Sequence, residues 1–241
     1  MNLGLRLRRK WTIWQPVDSV QIACGEVLLS FDDGPDPEVT GRLLDVLKAK
    51  GVHAAFCVCG QSVRDSPELI RQMADEGHLI VNHGDFHRTS AVLSERSLQK
   101  EIDDCDRTIQ SALGRPTFRT EFFRPACGLW TPVVKRVLAR MNKRLMPVTH
   151  FGWDTNVTER SYQKWITVTR KAAQADNGGI FVLHDRRLSS WGKFNDRSGD
   201  RVWVPSAASE LIAQLRLDGF AILDAHIWTA RIAERVPFNR R

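Results

Sequence analysis

Apolar and polar positions along this chain switch repeatedly between a strand-like run and a helical period. Residues 26–31 (EVLLSF) form an apolar run of strand length. Pro37 and Glu38 then open a stretch in which Leu43, Leu44, Val46 and Leu47 recur at helical spacing, and Gly51 stops it. Residues 52–58 read as the next strand. Ser66-Pro67-Glu68 has an N-cap serine followed by proline at the first helical position, which predicts a helix running to Gly77. A strand at 78–82 follows. Leu98, Ile102, Cys105 and Ile109 lie three or four apart, the mark of a long amphipathic helix closed near Gly114. Beyond it the pattern predicts strands at 122–123, 145–153, 180–183 and 220–223, with helices from Thr131-Pro132, at 162–175 and at 206–217.

This alternation repeats about seven times and predicts an α/β fold with a parallel sheet and outer helices. Right-handed crossovers allow such strands to close into a barrel, with the active site at their C-terminal ends. Polar residues fall at those ends. Asp32 and Asp33 follow the first strand, His83 the third, Arg124 the fourth, Asp154 the fifth and His184 the sixth.

Composition narrows the setting. With 241 residues and 42% hydrophobic content, one substantial core is expected. The division is a domain at 26–225, a basic extension at 1–25 and a basic tail at 226–241. Met1 to Trp14 lacks a sustained apolar stretch, so a cytoplasmic location is expected. Net charge is +7, with clusters at Arg6, Arg8, Arg9 and Lys10 and at Arg231, Arg235, Arg240 and Arg241. These read first as solvated tails. Trp11 and Trp14 beside the first cluster also suit a peripheral membrane contact, and the charge suits an anionic lipid-linked or nucleotide-linked substrate. No nucleic-acid motif accompanies the charge, so nucleic acid is not expected as a partner. The five cysteines lack paired spacing, which fits a reducing compartment, and Cys57 and Cys59 read as small core residues.

Asp32, Asp33, His83 and His87 form a set able to hold a divalent metal and leave one carboxylate beside it. Each piece alone is ordinary. An Asp-Gly-Pro stretch is good turn chemistry, a lone histidine pair four apart is more often structural than ligating, and Arg124-Pro125 alone would pass as a surface arginine before a loop. Their joint order, each at a strand end, is what carries weight.

The sequence resembles the polysaccharide deacetylases (carbohydrate esterase family 4), including the nodulation-type chitooligosaccharide deacetylases, over about residues 27–223. The first motif matches at 30–35, with serine where threonine is usual. The second matches His83-Gly84-Asp85-Phe86-His87, the third Phe123-Arg124-Pro125-Ala126-Cys127-Gly128, and the fifth Leu183-His184-Asp185. The fourth diverges: Gly152-Trp153-Asp154-Thr155 replaces the commoner Asp-x-x-Asp-Trp. The resemblance implies a distorted (β/α)7 barrel in which Asp33, His83 and His87 bind Zn²⁺ or another divalent first-row metal. It implies Asp32 as the general base, Arg124 as its partner, the Cys127 backbone N–H as an oxyanion donor, His184 as the acid and Asp154 as the carboxylate behind it. Many relatives carry tyrosine where Cys127 stands, so contact from that ring is lost.

The polar segment 185–205 carries Trp191, Phe194 and Trp203 and is expected to overhang the site. Trp153, Trp191 and Trp203 are the candidates for covering sugar faces, with Trp130 as a further one; for any single tryptophan core packing is the more common role. The expected activity is removal of an N-acetyl group from an amino sugar in an oligosaccharide or an activated or lipid-linked sugar. A deformylase or other amidase on a lipid-linked sugar or natural-product intermediate stands as an alternative. A non-catalytic carbohydrate-binding protein on the same scaffold is the third reading.

Overall fold

The first apolar run becomes β1 (Glu26–Asp32), the central strand of an all-parallel sheet. This computed structural model describes residues 22–152, 154–188 and 200–235. On one side of β1 lie β2 (Ala55–Val58), β3 (Leu79–Asn82), β4 (Phe122–Phe123) and β5 (Arg144–Leu145), in that order. On the other side lie β7 (Gly178–His184) and then β6 (His150–Phe151), while β8 (Ala221–Ile222) pairs with the start of β1. The register of β1 with β7 runs from Glu26 opposite Gly178 to Asp32 opposite His184. Two of the polar candidates therefore finish side by side.

Helices cover the outside. They are α1 (Thr40–Ala49), α2 (Gly60–Asp65), α3 (Pro67–Asp75), α4 (Glu95–Leu113), α5 (Pro132–Arg140), α6 (Tyr162–Asp176), α7 (Val204–Leu217) and α8 (Ala225–Arg235). α4 ends at Gly114, whose φ of 64° needs a residue tolerant of the left-handed region.

The expected strand at 145–153 is two strands instead. Among the described residues, β5 pairs only with β4, and β6 only with β7. Pro147, which has no N–H for a ladder, sits between them. The intervening residues carry the chain from one edge of the sheet to the other. The result is a curled half-barrel whose edges are joined by chain, without a ladder across the gap.

Side-chain alternation along β1 splits the core. Val27, Leu29 and Phe31 face the outer helices, while Leu28 faces the inside of the curl with Ala55, Cys57, Val81, Phe122, Met146 and Ile180. Asp32, two residues beyond Ser30 and four beyond Leu28, shares that inner face. Cys57, Cys59 and Cys105 are fully buried, as small core residues should be.

Most of the stretch expected as a basic tail is helix α8. Ile227, Trp228 and Ile232 recur at helical spacing, a pattern masked by the basic residues of 226–241. Trp228 is fully buried inside the curl, its ring 5.0 Å from Phe122. Arg231 forms a two-pronged pair with Glu26, at 2.5 and 2.9 Å. Asp224 Oδ1 accepts from the His226 N–H at 2.7 Å and caps the helix start. Trp228→Ala should cost about 3–5 kcal/mol, because it empties the largest wholly buried side chain. Denaturant unfolding checks this; a loss below ~1 kcal/mol would show that α8 does not plug the curl.

No helix among the described residues is long and apolar enough to cross a membrane. Trp11, Trp14 and the basic residues of 1–21, together with Arg240 and Arg241, lie outside the described residues.

Candidate active site

Asp32 is the last residue of β1, and its carboxylate is met by Arg124 Nη1. Arg124 follows β4 and is fully buried. Its other donors go to Ser30 Oγ at 2.8 Å and to the Pro147 carbonyl at 3.0 Å. The same guanidinium thus fixes Asp32 and satisfies a carbonyl in the gap between β5 and β6, where no ladder partner exists.

Asp33 leaves the strand with φ 74°, in the left-handed region that costs a non-glycine residue. Its N–H donates to the Cys57 carbonyl at 3.2 Å, and its own carbonyl accepts from Ser62 Oγ at 2.7 Å. Gly34 follows because the Asp185 carboxylate occupies the space a Cβ would need. Asp185 in turn accepts from Thr40 Oγ1 at 2.5 Å, tying the end of β7 to the start of α1. Burial pushes Asp185 up to about 7. Asp36 Oδ1 accepts from the N–H groups of Glu38 and Val39, at 2.9 and 3.1 Å, and so turns the chain into α1.

His83 follows β3. Its Nδ1–H donates to the Arg124 carbonyl at 2.7 Å, which leaves Nε2 turned to the carboxylates. Nε2 lies 3.5 Å from Asp33 Oδ1 and 3.8 Å from Asp32 Oδ2. His87, at φ 51°, also brings its Nε2 to 3.5 Å from Asp33 Oδ1. The ligand atoms of Asp33, His83 and His87 all lie within 4.8 Å of one another, and all three residues are buried. Asp33 Oδ1 has no hydrogen bond among the described residues, although it is buried. A carboxylate oxygen so placed between two imidazole nitrogens suits a cation in the space between them. Burial alone would raise Asp33, but the imidazoles of His87, His83 and His184 hold it well below the usual carboxylate range. Burial lowers His87 and favours the neutral ring a cation needs.

Helix α4 supports this loop from below through two acids on its apolar face. Glu101 Oε2 accepts from the N–H groups of Asp85 and Phe86, at 2.9 and 2.7 Å. Asp106 Oδ1 accepts from Asn82 Nδ2 at 2.9 Å, and Asn82 Oδ1 accepts from the Gly84 N–H at 2.9 Å. Burial raises Glu101. The pattern of residues held a signal for Glu101: it lies between Leu98 and Ile102 on the buried stripe, where an unpaired acid would be costly.

His184 ends β7. Its Nδ1–H donates to Asp154 Oδ1 at 2.8 Å, and its backbone N–H donates to Asp154 Oδ2 at 2.8 Å. Partial burial disfavours a charged ring, yet Asp154 outweighs it and raises His184 from 6.5 to about 9. Asp154 is held below its ordinary value: burial opposes this, and His184 and Arg201 overcome it. Cys127 occupies a tight turn at φ 54° beside Gly128, with Sγ 3.7 Å from Thr89 Oγ1. Asp33, His87 and Cys127 are therefore three left-handed non-glycine residues, all among the residues picked out for the site.

The tryptophans fare differently. Trp203 is a core residue: it is 3% exposed, stacks on Tyr162 at 6.0 Å and meets Trp165 edge-on at 6.2 Å. It offers no face to a sugar. Trp153, Trp191 and Phe194 lie outside the described residues. Trp130 is half-buried against the cluster formed by α4 and α5.

Comparison with known proteins gives the family. Residues 20–163 match the family described as polysaccharide deacetylase. A chitooligosaccharide deacetylase of Rhizobium leguminosarum bv. trifolii is 36% identical over 179 residues, covering 74% of this chain and 80% of the relative. A peptidoglycan-N-acetylmuramic acid deacetylase of Bacillus subtilis is 29% identical, over 66% of this chain and 59% of that protein. A deacetylase solved with substrate superposes with a TM-score of 0.69 at 26% identity, over 86% of this chain and 92% of that one. The chain belongs to the polysaccharide deacetylase family.

Proposed function

We propose that this protein is a metal-dependent hydrolase that removes the N-acetyl group from an N-acetylated amino sugar, with short chitooligosaccharides the best-supported substrate. The observation that carries this reading is the convergence of Asp33, His83 and His87 beside an arginine-held Asp32 and an aspartate-held His184. The chitooligosaccharide deacetylase relative supports the sugar.

Asp33 through Oδ1, with His83 and His87 through Nε2, would hold Zn²⁺ or another divalent first-row cation. When bound, such a cation supplies Lewis-acid stabilisation to water and to the acyl oxygen. Asp32 takes the proton of the attacking water, with Arg124 holding its carboxylate in one orientation. The Cys127 N–H donates to the acyl oxygen as it gains negative charge. His184 gives its proton to the leaving amine, and Asp154 keeps that ring charged until then. An amide needs both a base and an acid because it is a weak electrophile with a poor leaving group. A sugar-binding protein would need neither.

The test is incubation with N-acetylglucosamine oligomers and quantification of the acid released. Acetate is expected. Formate from an N-formyl sugar with no acetate from any oligomer would favour the deformylase, and metal binding without any acid release would favour a binding protein. His83→Ala should reduce bound metal in purified protein to a small fraction of the wild-type stoichiometry, measured by elemental analysis. Unchanged stoichiometry would remove His83 as a ligand.

A further inference from the structure

Asp154 sits in a single short turn after a two-residue strand, a weak mount for the group that aims the proton donor. Its carboxylate is nevertheless fully buried, and the explanation lies in Arg201, at the far end of the segment following β7. Arg201 Nη2 donates to Asp154 Oδ2. Nη1 donates to the Asp154 carbonyl at 2.8 Å, and Nε donates to the His184 carbonyl at 3.0 Å. All three nitrogens of the guanidinium end on the two residues of the acid pair. The Arg201 side chain is 2% exposed, and its guanidinium lies 4.9 Å over the Trp203 ring, itself wedged between Tyr162 and Trp165.

We propose that Arg201 is a positioning residue for the proton donor, locking Asp154 and His184 into one unit across the end of the barrel. This rests on the reading of His184 as the acid in the proposed hydrolysis. Arg201 touches no reacting atom. Its planar fork reaches a carboxylate and two backbone carbonyls at once, which the single ammonium of lysine cannot do. The core stack of Trp203 gives this fork a rigid backing. That role also accounts for a tryptophan that sequence alone assigns to sugar binding.

The test compares wild type, R201A and R201K in the full chain, with two independent readouts. On N-acetylglucosamine oligomers, R201A should lose about 100-fold in kcat, as expected for a misplaced catalytic group, with KM little changed. Added guanidinium should restore part of that activity, and urea should not. R201K keeps the charge and should still fall well below wild type. Without substrate or metal, NMR should show a downfield His184 Nδ1–H signal in wild type that is absent from a His184 variant. That signal should weaken or vanish in R201A and R201K. Wild-type kcat in R201K would overturn the proposal. So would an activity loss that follows Tm, resists guanidinium and leaves the His184 signal intact. Should R201A fail to fold, R201K carries the decision. If wild type releases no acid from any sugar, the functional reading fails, and the imidazole signal alone decides the role of Arg201.

Discussion

Asp32→Asn is expected to lower kcat by about 10²–10⁴-fold, the usual worth of a general base, while leaving metal content unchanged. The two halves of this expectation have separate causes. Asparagine keeps the size of the carboxylate and can still accept from Arg124, so the buried pair is not emptied. It has no basic oxygen to receive a proton. The candidate ligands Asp33, His83 and His87 are untouched, and Asp33 Oδ1 stays 3.5 Å from each imidazole nitrogen. Elemental analysis and acetate release on the same preparation check both halves. Full activity would remove Asp32 as the base, and lost metal would make it a ligand.

Asp154→Asn should have a comparable effect, about 10²–10⁴-fold in kcat, through the acid. His184 must be protonated to serve the leaving amine. Asp154 raises it to about 9 against the opposing effect of burial, so activity should fall as pH rises through the alkaline limb. A bound cation lowers that limb by charge repulsion, and removing the carboxylate lowers it further. The sign is therefore fixed: the limb of the variant lies at lower pH than that of wild type. A pH–rate profile measures it. An unmoved limb would break the Asp154–His184 assignment.

How far the sequence reaches can be seen residue by residue. Strand ends are legible because an apolar run stops at a polar residue, as at Asp32, Asn82 and Arg124. Across Pro147 the pattern predicts a single strand, whereas the structure has two edges. Helix α8 is hidden because Arg231, Arg235, Arg240 and Arg241 give 226–241 the composition of a solvated tail, and only the spacing of Ile227, Trp228 and Ile232 reveals it. Trp203 lies in a polar, aromatic-containing segment, a setting that predicts a ligand-facing residue. Its partners Tyr162 and Trp165 come from a helix about 40 residues earlier, and no local pattern announces such a contact. Arg201 left no trace for the same reason. A charge in a polar stretch looks solvated until its partners are brought to it, Asp154 by the turn after β6 and His184 by the end of β7. The left-handed backbone at Asp33, His87 and Cys127 is likewise invisible in the sequence; at Asp33 it goes with long-range bonds to the Cys57 carbonyl and from Ser62 Oγ.

The central claim is that Asp33, His83 and His87 together hold one cation. Anomalous diffraction at the zinc edge, from crystals of the protein soaked in zinc, tests it most directly. A single strong peak bonded to Asp33 Oδ1 and to Nε2 of both histidines is expected. An empty site at saturating zinc, or a peak bound elsewhere with these three side chains apart, would contradict it.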